Sequence, residues 1–442
     1  MYILAREFFG EFPAIIAALL YTYAPYHAQE VYVRGSLSEF WASVFFPFIL
    51  WSIYKRKFVL TAISIAGLFL THNILSFLFI PVILFWTTYF LYIQKTVSWK
   101  KIVLSGLLGI GLSSFFVLPM LFERGYVHVE TLLGGYFDYR QHFVTIRELF
   151  LSNNWGYGSS ALGPIDDLSL STGILHWILG LTAIGIAFLK FKKDKKISLL
   201  ILGLGVIALT TLFLTHEKSS FIWSLIPALS WLQFPWRFLS LSVFVLAFLS
   251  GYAVSKFGKA KYIFGIIIIG LIFVLHLNFF APKSWLNVND NDELTGAMWE
   301  KELTASIFDY LPIYAKFPPN SKAPDFPEIL DGKAVFADYI KRTRFQEGSV
   351  NVSENATVRI PLYDFPGMEV KIDGKKINHI NNDCRNQEFC LGLISFTIPK
   401  GDHIVKIFLN DTPIRRFGNI LTLISLATVL YLVSGKYEIY KK

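Results

Sequence analysis

Apolar stretches close to the length of a bilayer crossing recur along this chain, and clusters of lysine and arginine close them at alternate ends. Crossing about 30 Å of hydrocarbon as helix takes roughly 20 residues. Runs at 101–121, 172–189, 197–215, 236–255 and 262–280 approach or reach that length, and 73–93 does too. Shorter runs at 12–23, 39–54, 58–71 and 419–433 bring the count to ten, and they need thinning or neighbouring helices to be accommodated. Hydrocarbon offers a backbone no hydrogen-bond partner, so helix is the solution open to each run. With 54% apolar and 17% charged residues over 442 positions, the chain is too apolar for an ordinary soluble domain. It reads as a polytopic α-helical membrane protein of about ten transmembrane helices.

The basic clusters orient it. Lys55, Arg56 and Lys57; Lys95, Lys100 and Lys101; Lys190, Lys192, Lys193, Lys195 and Lys196; Lys256, Lys259 and Lys261; and Lys436, Lys441 and Lys442 fall at alternate helix ends. The positive-inside bias places each in the cytoplasm, with both termini. Orientation then accounts for the net charge of +9, and no nucleic-acid partner is implied. A multi-pass protein of the cell membrane follows, with membrane lipid as its first partner. Its polar stretches at 24–38, 122–171 and 282–416 lie outside. The domain reading is 1–121 as N-terminal helices with the short outer loop 24–38, and 122–171 as a long outer loop. Next come helices at 172–281 with a re-entrant or interfacial segment at 221–234, an extracytoplasmic β-domain at 282–416, and a last helix and tail at 417–442. Residues 1–11 carry Arg6, Glu7 and Glu11, and no small-residue cleavage site follows the next apolar run, so no signal peptide is read there.

The outer segment 24–38 mixes Pro25, Tyr26, His27, Glu30, Tyr32, Arg34 and Gly35, a composition suited to a headgroup boundary. Arg34 can fork onto a lipid phosphate or pair with Glu39. Glu39 can serve as acid or base, or complement the dipole of the helix it opens. His72 and Asn73 make a tight turn between two helices or hydrogen-bond within the bundle, with Asn73 a candidate helix cap. Trp236 and Arg237 open a helix after 221–234, where Arg237 can clamp a pyrophosphate or belong to an interfacial belt. Residues 145–151 suit a helix lying on the bilayer with Phe143, Ile146, Leu149 and Phe150 toward lipid. Asp166 and Asp167 are the acidic pair of the long loop, a weak site for a divalent cation.

From Lys333 onward the apolar period becomes two, as in Val358, Ile360 and Leu362, with turns at Asp373-Gly374 and Pro399-Lys400-Gly401. An antiparallel β-domain follows, read as a small sandwich. A helix is expected at 295–310, and a proline-rich connector at 312–327. Cys384 and Cys390, the two cysteines of the chain, suit a disulfide closing a polar loop in an oxidising compartment; two unpaired buried thiols are the alternative.

Tyr21, Pro25, Tyr26, Tyr32, Arg34, Gly35, Glu39, Ala42 and Pro47, then Trp155-Gly156-Tyr157-Gly158-Ser159, then Gln233-Phe234-Pro235-Trp236-Arg237-Phe238, form an ordered set. They resemble the multi-spanning bacterial membrane proteins labelled 6-pyruvoyl-tetrahydropterin synthase-related. Phe365-Pro366-Gly367, Asp373-Gly374 and Pro399-Lys400-Gly401 are similar to the outer β-domain of their YfhO-like kin. The label misleads about chemistry, since the nine histidines show no zinc-ligand spacing.

The resemblance implies a GT-C-like build: a membrane glycosyltransferase that moves a sugar from a polyprenyl-phosphate donor to an envelope glycan acceptor at the outer face. It implies substrate contacts at Arg34, Tyr26, His72, Asn73, Trp236 and Arg237, and it leaves room for a divalent cation. Such enzymes hold an acid in the first outer loop, yet no Asp-x-Asp or Asp-Asp stands in 24–38. Either Met1 begins where the family is already inside its membrane region, or the catalytic acid is Glu30 or Glu39. Two other functions fit the same layout, a non-catalytic envelope protein presenting its β-domain and a transporter for a lipid-linked sugar.

Overall fold

A computed structural model describes residues 1–151, 156, 158, 160, 170–281, 284–304, 308–342 and 344–439. The chain divides into two compact units, one of residues 1–117, 135–284 and 420–442, the other of 118–134 and 285–419.

The first unit is a helical bundle. Among the described residues six helices are long and apolar enough to cross a membrane: Leu37–Tyr54, Asn73–Ile93, Lys195–Thr215, Pro235–Ser255, Gly258–Phe280 and Pro413–Ser434. Trp99–Leu112 and Ser114–Phe122 make a seventh if taken as one span, bent by 76°. Glu11–Thr22, Phe58–Thr71 and Ile174–Leu189 are apolar but shorter. Length is what separates them from the ten expected spans, because apolar composition alone does not carry a helix across.

Pro235–Ser255 is the hub, with 94% of its apolar window buried. A helix apolar on all sides is stable only when neighbours cover every side. Glu11–Thr22, Ile174–Leu189 and Lys195–Thr215 do so here. Pro413–Ser434 is the opposite case, with 17% of its window buried and Leu423, Leu430 and Tyr431 open on its surface. An exposed apolar stripe of that length suits hydrocarbon and not water. Where helices do meet, small residues set the distance. A Cβ built on Gly109 would sit 2.8 Å from the Ala62 carbonyl oxygen and 2.9 Å from the Ile65 side chain, so glycine lets these two helices touch.

Several local expectations change. A helix over Tyr2–Phe9 precedes the first apolar run and buries Leu4 and Ala5 in the bundle core. The helix expected to lie on lipid is present as Ile146–Leu151, but Leu149 is 2% exposed and packs inward. Phe150 accepts a hydrogen bond from Trp177 Nε1 at 3.0 Å, so this short helix is held by the bundle. The segment after 219 forms a six-residue helix, Ser220–Leu225, and a 3-10 stretch, Pro227–Leu232, with no helix long enough to span.

The second unit carries β1 (Glu328–Lys341), β2 (Phe345–Tyr363), β3 (Met368–Ile372), β4 (Lys375–Ile377), β5 (Leu393–Ile398) and β6 (Gly401–Leu409). All pairings are antiparallel, in the order β1-β2-β6-β3-β4, with β5 on β2. The expected antiparallel β-domain is present, and its six strands form one hydrogen-bonded sheet in which the 19-residue β2 pairs with β6 through 345–352 and with β5 through 356–363. Even-numbered residues of β2 point one way, and Val350, Val352, Val358 and Ile360 join Ile394, Phe396, Val405 and Ile407 in a single core. Of the helix expected at 295–310, the described residues show Gly296–Thr304 as helix and Phe308–Tyr310 as a 3-10 turn.

Asp373 and Gly374 turn β3 into β4 with φ of 50° and 78°, the paired positive φ of a tight two-residue hairpin. The Asp373 carboxylate accepts from the Ile404 amide at 2.9 Å and from His403 Nδ1 at 2.7 Å, tying the turn to β6. Hydrogen bonding to His403 holds the Asp373 carboxyl below its usual range, and the same bond raises the His403 ring. A raised histidine stabilises fully below its unfolded pKa, about 6.5, and that support is lost as pH rises through the folded value. A lowered aspartate stabilises above its unfolded pKa, about 3.9, and loses it as pH falls through the folded value. Both are present between those limits. His403→Gln is therefore expected to flatten the fall in melting temperature as pH rises above about 6.5; identical slopes for the two proteins would refute the pairing.

Candidate functional site

In the bundle, a carboxylate sits with almost no access to solvent at the first turn of Leu37–Tyr54. Glu39 is 1% exposed, and three basic side chains converge on its Oε2. Arg34 Nη1 donates at 2.9 Å, Arg237 Nε stands at 3.5 Å and His72 Nε2 at 3.8 Å. Tyr26, also 1% exposed, donates its hydroxyl to Oε1 at 3.5 Å. A buried charge is tolerated only when it is paired and hydrogen-bonded, and these residues supply that from three separate segments.

Each partner is aimed by local backbone. Gln29–Val33 winds as a π-helix, with Arg34 N–H donating to the Gln29 carbonyl at 3.0 Å, and Gly35 at φ 61° ends it. The wide turn sets Glu30 and Arg34 side by side, and Arg34 Nη1 also donates to Glu30 Oε1 at 2.6 Å. Single π-turns of this kind concentrate at functional sites. His72 is the cap of the next helix. Its Nδ1 accepts from the Leu75 amide at 3.1 Å, which leaves hydrogen on Nε2, the nitrogen facing Glu39.

Arg237 is set by a strained turn. Gln233 has φ 63° and ψ −48°, and Phe234 N–H donates to the Leu232 carbonyl at 2.6 Å, closing a γ-turn of the rare positive-φ kind. That turn presents the Leu232 carbonyl and Gln233 Oε1 to Arg237 Nη1 at 2.7 and 2.8 Å. Strain of this sort costs about 1–3 kcal/mol and persists where surroundings hold it. Phe234 and Trp236 stack at 4.7 Å, with the Arg34 guanidinium 4.4 Å over Trp236 and that of Arg237 5.0 Å from Phe234. Both arginines are thus fixed by aromatic faces as well as by charge.

Of the residues singled out in the sequence, Tyr26, Glu30, Arg34, Glu39, His72, Trp236 and Arg237 come together here. The Arg34–Glu39 pair expected as one alternative is formed. Tyr26 is packed inside the cluster and is not an exposed contact for a ligand. Asn73 does not cap the helix as expected, since His72 does; its Oδ1 accepts from the neighbouring Ile74 amide at 2.8 Å. Sequence reasoning missed Ser160, whose Oγ accepts from Trp236 Nε1 at 3.2 Å and meets His142 Nδ1 at 2.6 Å. A lone serine in a loop carries no signal in a single sequence.

Glu30 and Glu39 differ chemically. Among the described residues Glu39 answers to three basic groups, Glu30 to Arg34 alone. Burial pushes the Glu30 carboxyl up, and the neighbouring Glu39 charge adds to this against the pull of Arg34. A carboxyl raised in this way suits proton transfer better than one locked into ion pairs. Among the described residues no group of three or more His, Cys, Asp or Glu could hold a metal ion. Trp155, Tyr157, Ser159, Asp166 and Asp167 lie outside the described residues. In the other unit Cys384 and Cys390 are joined as a disulfide. No family model, curated protein or solved structure matches the chain.

Proposed function

We propose that this is a GT-C-like membrane protein that transfers a sugar from a polyprenyl-phosphate donor to an envelope glycan acceptor. In this reading the six long helices, the broken one and the three short ones are the ten spans. Lysine clusters put both termini in the cytoplasm and the β-domain outside. The single observation that carries it is the buried pairing of two carboxylates with two aromatic-braced arginines, assembled from the segments that carry the resemblance.

Arg34 and Arg237 would take the donor phosphate, exchanging part of their carboxylate contacts for phosphate oxygens of matching fork geometry. Glu39 positions both arginines. Glu30, with one basic partner among the described residues, is the carboxylate assigned to accept the proton of the acceptor hydroxyl as that oxygen attacks the sugar carbon and the lipid phosphate leaves. Arg34→Ala is expected to weaken undecaprenyl phosphate binding about ten-fold or more, the value of a charge-assisted hydrogen bond. Native mass spectrometry of the protein titrated with that lipid checks it, and unchanged occupancy would remove Arg34 from the phosphate site.

One observation favours a second reading. Each guanidinium of the cluster already has carboxylate, carbonyl or amide partners, as a purely structural brace in a non-catalytic envelope protein would. In that case folded variants lacking Glu30 would behave as the natural protein does.

A further inference from the structure

The sheet unit holds a cavity of about 670 Å³, well away in sequence from the residues of the bundle site. Three segments wall it: the strap at 318–324, the end of β2 at 359–363, and the loop at 386–391 that the Cys384–Cys390 disulfide closes. Its volume lies within the range of small-molecule sites, roughly 300–1,000 Å³.

The walls are pinned to one another. Asn320 Nδ2 donates to Glu388 Oε2 at 3.2 Å, from strap to disulfide loop. Lys316 N–H donates to the Cys390 carbonyl at 2.8 Å, and the Phe317 and Phe389 rings meet at 4.3 Å. Behind them Arg359 is 3% exposed, although it stands in a strand whose alternation marks it as a surface residue. It donates to Glu328 Oε2 at 2.5 Å and to the Asp383 and Arg385 carbonyls at 3.2 and 2.7 Å, so a buried guanidinium holds the loop in place. Pro318, Pro319 and Pro324 stiffen the strap. A cavity built in this way loses little freedom when it binds.

Its chemistry selects a neutral, hydroxylated ligand. The charged residues of the lining balance, Lys322 and Arg359 against Glu328 and Glu388, so neither an anion nor a cation is favoured. Asn320, Asn386, Gln387 and Glu388 bring amide and carboxylate groups to the lining, and Tyr363 and Phe389 bring aromatic rings. Planar polar groups beside aromatic faces match a pyranose, which presents hydroxyls around its edge and C–H bonds on its flat face.

We infer that this cavity is a binding site for a neutral oligosaccharide. The site is separate from the bundle cluster, and its assay reads binding and not transfer, so its failure would leave the reading of that cluster standing. The full chain in detergent would be presented with cellotriose, chitotriose and mannotriose at millimolar concentration, with saturation-transfer NMR as the readout. At least one is expected to receive saturation. Phe389→Leu, which removes the ring and keeps most of the volume, is expected to weaken that binding about ten-fold. Asn320→Ala is expected to weaken it too, with the disulfide shown intact in both variants by the mass after alkylation. No transfer to any of the three sugars, binding by both variants as tight as the natural protein's, or displacement of the sugar by a proline-rich peptide would each overturn the assignment.

Discussion

Glu39→Ala is expected to cost the bundle about 3–5 kcal/mol, the usual effect of removing one member of a buried ion pair. The side chain is shut away from solvent, and its loss leaves Arg34 and Arg237 facing each other's charge across a site where water is scarce. Arg34 keeps Glu30, and Arg237 keeps the Leu232 carbonyl, so the fold is weakened and not erased. Glu39→Gln should cost less, because the amide retains an acceptor for one guanidinium. The unfolding midpoint in detergent, followed by tryptophan fluorescence, checks both. Equal midpoints for Glu39→Ala and the natural protein would mean that solvent reaches the cluster and that its charges are screened.

The second large effect falls on rate. If Glu30 accepts the acceptor's proton, Glu30→Gln should lower turnover by about 10²–10⁴-fold, the range that a positioned general base supplies. Stability should change little, since the amide still accepts from Arg34. The pH profile adds a readout that a structural role would not move. A base works only when deprotonated, so the natural protein's rate should climb through a pKa above the ordinary carboxylate value of about 4.3, as burial of Glu30 requires. The Gln variant should lose that limb. A Gln variant with natural turnover would return Glu30 to the role of partner for Arg34.

Much of this was legible in the residues, and for definite reasons. The helical runs announce themselves by apolar length and the strands by a period of two, and Asp373-Gly374 marks its hairpin because few other pairs accept two positive φ values. The cluster around Glu39 was half legible. Arg34 and Glu39 lie five residues apart and invite pairing, whereas Arg237 and His72 arrive from distant helices whose packing a single sequence does not encode. Two details left no trace. Gln233 gives no warning of a strained turn, and Arg359 sits in an alternating strand at a position that looks exposed but is covered by the disulfide loop that it holds. The pairing of β2 left no trace either, because alternation reports which face is buried and not that one long strand serves two sets of neighbours.

The proposed sugar transfer at the Glu30–Arg34–Glu39–Arg237 cluster is open to direct test. The direct measurement is transfer in proteoliposomes loaded with polyprenyl-phosphate-linked sugars and a lipid-linked glycan extract, with products identified by mass spectrometry. The predicted result is a glycan one sugar heavier, formed by the natural protein and lost with both Glu30→Gln and Arg34→Ala. A folded natural protein that binds the lipid yet yields no product from any donor, or a product that forms equally in both variants, would contradict it.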